Sequence, residues 1–256
     1  MNLTLDYVYI VTSRKLQRFF IEDNVLMVGD DDNLSKEICH QILNVLRMKT
    51  NDKVILLDNS GFEYTCEITV HGKNISYKVL EKNKNTLEPT INTILYQSIL
   101  KSSERLEFAM QKATELGVMT IVPLITERCQ VATLRKKDRF EKIIKEASEQ
   151  SERGLLPTLE NPIKFNDLIK TLDTSLKTTN LFFYEGARHD KFELPSLSKN
   201  VNVIIGPEGG FSPEEALQIE TFCKKNKNSY TLSLGKRILR SETASIVALA
   251  QILINY

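Results

Sequence analysis

The chain has 256 residues, 41% of them apolar and 26% charged. That is enough to bury one large core or two small ones. Its 34 lysines and arginines face 33 aspartates and glutamates, with −2, +2 and +1 over residues 1–80, 81–180 and 181–256. A strongly basic field is excluded, so any contact with nucleic acid must come from a local patch.

The opening MNLTLDYVYIVTSR carries Asp6 within its apolar stretch and makes a poor signal peptide. Residues 1–80 read as mostly β. Runs at 25–28, 53–57, 61–70 and 75–79 are rich in β-branched and aromatic residues, and Asn59-Ser60-Gly61 supplies a hairpin turn. One helix is expected over 35–46, where apolar residues at 38, 42, 45 and 46 recur at helical spacing. A small barrel with one helix fits this pattern, with Asp30-Asp31-Asp32 in a solvent loop. The polar stretch EKNKNTLEP (81–89) reads as a linker to a second domain, 90–256.

From there strands alternate with helices: a strand at 90–99, a helix at 103–116 stopped by Gly117, a strand at 118–125 and a charged helix at 135–153. Further strands are expected at 181–184, 201–205 and 230–234. The alternation implies an α/β fold with a mostly parallel sheet. In such sheets ligands bind beyond the carboxyl ends of the strands.

Two of those ends are rich in signals. After 201–205 comes GPEGGFSPEE (206–215), with Gly206, Gly209 and Gly210 where the backbone must turn or approach a ligand. Ser212 as N-cap, Pro213 in the first turn and Glu215 completing a capping box start a helix. Glu214 and Glu215 would repel a phosphate at that helix end, and both the dinucleotide fingerprint and the phosphate-loop motif are absent. A neutral or cationic ligand is expected. After 230–234 comes LGKRILRSETA (234–244), where Ser241 or Thr243 can cap a last helix whose apolar run reaches 253. That run contains Ser245 and Gln251 and falls short of the roughly 20 residues of a membrane span. Cys39, Cys66, Cys129 and Cys223 with His40, His71 and His189 show no metal-ligand spacing, and scattered cysteines fit a reducing cytoplasm.

GPEGGFSPEE followed by LGKRILRSETA strongly resembles the RsmE family of bacterial ribosomal RNA methyltransferases, SPOUT-class enzymes that methylate N3 of a uridine in 16S rRNA with S-adenosylmethionine. KATELGV (112–118), TER (126–128) and EASEQSERGLLP (146–157) are similar to its other signatures, in the same order. RFF (18–20) and HQILNVLRM (40–48) are similar to its RNA-binding segment. The resemblance implies a PUA-like β-barrel in residues 1–80 and a SPOUT domain with a trefoil knot in 90–256. It further implies a homodimer whose sites are closed by the partner chain, and 16S rRNA of the small subunit as partner.

By the same resemblance, the cofactor is expected at Glu185, Gly186, Gly206, Pro207, Glu208, Gly209, Gly210, Leu234, Gly235, Ile238, Leu239, Arg240, Thr243 and Ala244. Arg240 and Arg153 would stabilise charge developing on the uracil, and Glu242 would take its N3 proton. Arg153 would act across the dimer interface. Arg14, Lys15, Arg18, His40, Arg47, Lys49, Lys101, Lys112 and Arg128 are the expected RNA contacts. Where the family commonly has a Lys-Gly-Asp-like turn, this chain has Lys101-Ser102-Ser103-Glu104, in which either serine can cap the helix. The alternatives are a SPOUT enzyme acting on another rRNA or tRNA site, a non-catalytic RNA-binding protein on the same scaffold, and a nucleotide-dependent transferase. The missing phosphate loop argues against the last.

Overall fold

A computed structural model describes residues 16–21, 25–187, 193–254 and 256. The chain divides into two units, Met1–Thr86 and Leu87–Tyr256.

In the first unit β1 (Gln17–Phe20), β2 (Asp31–Asn33), β3 (Lys53–Leu57), β4 (Phe62–His71) and β5 (Asn74–Lys84) form one sheet, in the order β1-β3-β4-β5-β2. The expected turn at Asn59–Gly61 joins the antiparallel β3 and β4, with Asn59 at φ 60° and Gly61 at φ 80°. The expected helix starts as α1 (Lys36–His40), capped by Ser35 Oγ accepting the Ile38 N–H, and then widens into a π-helix over Gln41–Val45. Two expectations fail at the sheet edge. Residues 25–28 form no strand, and Val25, Met27 and Val28 stay exposed. The acidic stretch taken for a loop instead supplies β2, which pairs antiparallel to β5 with its side chains outward. A short, charged edge strand blunts pairing with other chains. β5 also runs on through the first four residues read as linker.

The second unit holds β6 (Asn92–Ser98), α2 (Ser103–Glu115), β7 (Thr120–Ile125), α3 (Lys137–Gln150), β8 (Thr158–Leu159), β9 (Ile163–Lys164), α4 (Phe165–Thr171), β10 (Thr178–Phe183), β11 (Asn200–Ile205), α5 (Pro213–Lys225), β12 (Ser229–Leu232) and α6 (Ser241–Leu253). The sheet runs β12-β10-β11-β6-β7-β8, with β9 also on β7, and every pairing is parallel. Side chains alternate between its faces, as the pleat requires. Leu181, Phe183, Val203 and Ile205 pack with Leu106, Phe140 and Leu249 of α2, α3 and α6 on one face. Phe182 and Ile204 pack with Leu168, Ile219 and Phe222 of α4 and α5 on the other. The result is a three-layer α/β/α unit in which a strand buried on both faces reads as a continuous apolar run.

Candidate active site

The carboxyl ends of β10, β11 and β12 lie side by side, and the segments that follow them line one cleft with about 660 Å³ of empty space, part of it open to solvent. Phe183, Tyr184 and Glu185 come from the end of β10, and Ile205, Gly206, Pro207, Glu208, Gly210 and Phe211 from the end of β11. Ser233, Leu234, Gly235, Arg237, Ile238 and Leu239 follow β12, and Ser241 and Ala244 come from α6. Four expected cofactor residues, Gly186, Gly209, Arg240 and Thr243, are not among the lining residues. Seven residues that were not expected at the cofactor, Phe183, Tyr184, Ile205, Phe211, Ser233, Arg237 and Ser241, are. Phe211, Arg237 and Ser241 lie inside the motifs and Ile205 and Ser233 flank them; the strand-end aromatics Phe183 and Tyr184 carry no local signal separating a cleft wall from core.

Glycine is needed at two points of the lining. Gly210 has φ +67°, and Gly235 has φ +105°. At Gly206 a Cβ would come within 3.2 Å of the Phe211 ring. These residues give the cleft a small-residue floor beside Phe183, Leu234 and Leu239, with the carboxylates of Glu185 and Glu208 as its acidic members. That donor set fits a ligand with an apolar ring, hydroxyls and positive charge, and suits a polyphosphate poorly.

The capping box predicted from sequence is present: Ser212 Oγ accepts the Glu215 N–H at 3.3 Å, and Glu215 Oε2 accepts the Ser212 N–H at 2.9 Å. The predicted cap of the last helix is not. Arg240 is the N-cap without a side-chain bond, and Ser241 is the first helical residue. Its hydroxyl instead donates to Gly206 O at 2.6 Å and accepts from Gln97 Nε2 at 3.0 Å. Tertiary demand took the side chain that local capping would have used.

Glu242, in the first turn of α6, is only 7% exposed, and its Oε2 is buried with no hydrogen-bond partner among the described residues. Its Oε1 lies 3.8 Å from Arg105 Nε. Arg153 stands elsewhere. Its guanidinium forks onto Glu88, with Nη2–Oε2 at 2.8 Å and Nε–Oε1 at 3.3 Å, and Nη1 donates to the carbonyls of Thr114 and Val118 at 3.0 and 2.6 Å. In this chain it is 4% exposed and does not line the cleft.

The expected RNA contacts are scattered in environment. Arg14 and Lys15 lie outside the described residues. His40, Arg47 and Lys49 are exposed, with Arg47 held at φ 55°. Arg18 is largely buried, 3.5 Å from Glu63. Lys112 pairs with Glu115 at 2.7 Å. The Lys101 N–H donates to Glu208 Oε1 at 3.1 Å, and Ser102 caps α2 by accepting the Arg105 N–H at 3.3 Å. Arg128 Nη1 donates to Gly209 O at 2.8 Å. Burial pushes the Cys66 and Cys223 thiols up to about 12, so neither supplies a thiolate near neutral pH. Among the described residues no group of three or more His, Cys, Asp or Glu is placed to hold a metal ion, and no helix is long and apolar enough to cross a membrane.

Two family models match the chain: an RNA methyltransferase domain over residues 87–253 and an RNA methyltransferase PUA domain over 36–81. Ribosomal RNA small subunit methyltransferase E of Rickettsia conorii is 32% identical over 246 residues, covering 93% of this chain and 95% of the relative. The protein of the same name from Bacillus subtilis is 31% identical over 252 residues, covering 93% and 96%. Among solved structures, a ribosomal RNA small subunit methyltransferase E from Neisseria gonorrhoeae bound to S-adenosyl methionine superposes with a TM-score of 0.84 at 32% identity, covering 94% of this chain and 98% of that one.

Proposed function

Because the chain belongs to the RsmE family of ribosomal RNA small subunit methyltransferases, we propose that it methylates N3 of a uridine in 16S rRNA, with S-adenosylmethionine as donor. The observation that carries this reading is the cleft itself: glycine-floored, with an apolar wall, two carboxylates and no phosphate-binding loop. When bound, S-adenosylmethionine supplies a methyl group on a sulfonium cation. Phe183, Leu234, Ile238 and Leu239 suit its adenine, and Glu185 and Glu208 suit its hydroxyls and positive charge.

Methyl transfer by in-line displacement depends mostly on positioning. Uracil N3 becomes a good nucleophile only after its weakly acidic proton leaves. We assign Glu242, beside the cleft-lining Ser241 but not itself a lining residue, as the acceptor of that proton, because its buried Oε2 lacks a hydrogen-bond partner among the described residues. Arg240, at the start of the same helix, is the donor that stabilises charge spreading onto O2 and O4. The target uridine must be turned out of any stack to reach these groups. Arg153, committed to Glu88, is assigned no step. The remaining parts of the reading are an RNA-binding PUA unit, a homodimer, a trefoil knot formed by the segments after β10, β11 and β12, and action in the cytoplasm.

The test is nucleoside mass spectrometry on 16S rRNA from a strain lacking the gene. N3-methyluridine should vanish and return with the wild-type gene, and Glu242→Gln should turn over about 10²-fold slower with unchanged donor affinity. Persistence of N3-methyluridine in the deletion strain, or label transferred in vitro to a different base or to tRNA, would overturn the assignment.

A further inference from the structure

The segment from Gly206 to Ser212 forms one wall of the cleft and contains three glycines within five residues. A chain so rich in glycine samples many conformations when free, and any ligand that needs one of them must bear the cost of selecting it. Three contacts from outside the segment fix it. Ser241 Oγ donates to Gly206 O, the Lys101 N–H donates to Glu208 Oε1, and Arg128 Nη1 donates to Gly209 O at 2.8 Å.

The Arg128 contact is more than a single bond. The side chain lies along Gly209: a Cβ there would come 3.4 Å from Arg128 Cβ and 3.6 Å from its Cδ. The neighbouring Glu127 N–H donates to Glu215 Oε1 at 2.8 Å, and that 5%-exposed carboxylate closes the cap of α5 through its other oxygen. The loop after β7 therefore grips the same connection twice, at its glycine turn and at its helix cap. Arg128 itself does not line the cleft.

We propose that Arg128, read from sequence as an RNA contact, is a positioning residue for the methyl donor: it holds the Gly209 carbonyl so that the glycine turn is set before the donor arrives. The proposal rests on the reading that this cleft takes S-adenosylmethionine. It acts on donor affinity, whereas an RNA contact acts on RNA affinity.

The test is calorimetric titration of S-adenosylmethionine into full-length wild-type, Arg128→Ala, Arg128→Met and Arg128→Lys proteins, with steady-state kinetics on 16S rRNA and thermal melts beside it. The alanine and methionine variants should bind the donor about ten-fold more weakly, the loss of one charge-assisted hydrogen bond. Their KM for the donor should rise in step, and their KM for RNA should stay within about two-fold. The lysine variant, which can still donate to the carbonyl, should recover most of the affinity. Methionine keeps the stem over Gly209 without the donor, so a folding defect confined to the alanine variant leaves the comparison intact. Unchanged donor affinity in the methionine variant overturns the proposal, and a raised RNA KM beside it would make Arg128 an RNA contact. A wild-type protein that fails to bind the donor removes the functional reading itself.

Discussion

Arg153 shows what one residue's neighbourhood adds to its motif. The run around it marks the position as special, yet its partner lies 65 residues away, and no local pattern names Glu88. Glu88 Oε1 also accepts the N–H groups of Gly154 and Leu155 at 3.0 and 3.2 Å. The pair therefore fastens the start of the second unit to the ends of α2 and α3. Removing one member of a buried pair leaves a charge without compensation, at a cost of about 3–5 kcal/mol, whereas replacing both with apolar residues costs much less. Glu88→Leu and Arg153→Met are each expected to destabilise by that amount in urea unfolding, and the double variant to recover more than half of it. Single-variant losses under about 1 kcal/mol would return Arg153 to the list of catalytic candidates. Arg18 follows the same pattern: its position in the RFF motif is legible, its inward turn toward Glu63 is not.

Among the elements, those specified by local chemistry were legible and those specified by distant partners were not. The capping box at Ser212 and Glu215 spans four residues, and the sequence states all of it. The start of α6 looks equally plain, but the Ser241 hydroxyl is drawn into a bridge between β6, the glycine turn and the helix. The strand β2 was hidden because Asp31, Asp32 and Asn33 are residue types depleted in strands, and pairing with β5 decides the matter. Gln97 is the centre of the bridge. It is 0% exposed within β6, its Nε2 donates to Ser98 O and Ser241 Oγ, and its Oε1 accepts the Ser245 hydroxyl. Gln97→Leu would remove one buried hydrogen bond from each serine, leaving Ser241 on Gly206 O and Ser245 on Ser241 O, at a cost of about 1–3 kcal/mol. It would also remove the amide that orients the Ser241 hydroxyl toward Gly206. We expect a lower melting temperature together with weaker donor binding; a melting loss with donor affinity intact would show that the bridge supports the fold alone.

At the scale of the whole chain, the alternation of strands and helices announced a parallel sheet, and the glycine-ended strands announced where its cleft would be. The strand order was beyond reach, because β6 lies beside β11 through pairs such as Asn92 with Asn200, more than a hundred residues apart. The division into units is better defined by packing than by composition. Each core is built from one unit: Phe19, Ile42, Tyr64 and Ile75 in the first, and the two faces of the parallel sheet in the second. A unit with its own core is expected to fold alone. A fragment of residues 87–256 should therefore melt cooperatively and bind S-adenosylmethionine with near wild-type affinity, while methylating RNA poorly for want of the PUA unit. Starting the fragment at residue 90, where composition places the boundary, deletes Glu88 and leaves Arg153 buried without its partner. That shorter fragment should be less stable by about 3–5 kcal/mol, although it loses only three residues. Equal stability of the two fragments would mean that the Glu88–Arg153 pair does not tie the unit together, and a longer fragment without a cooperative melt would mean that the second core does not stand on its own.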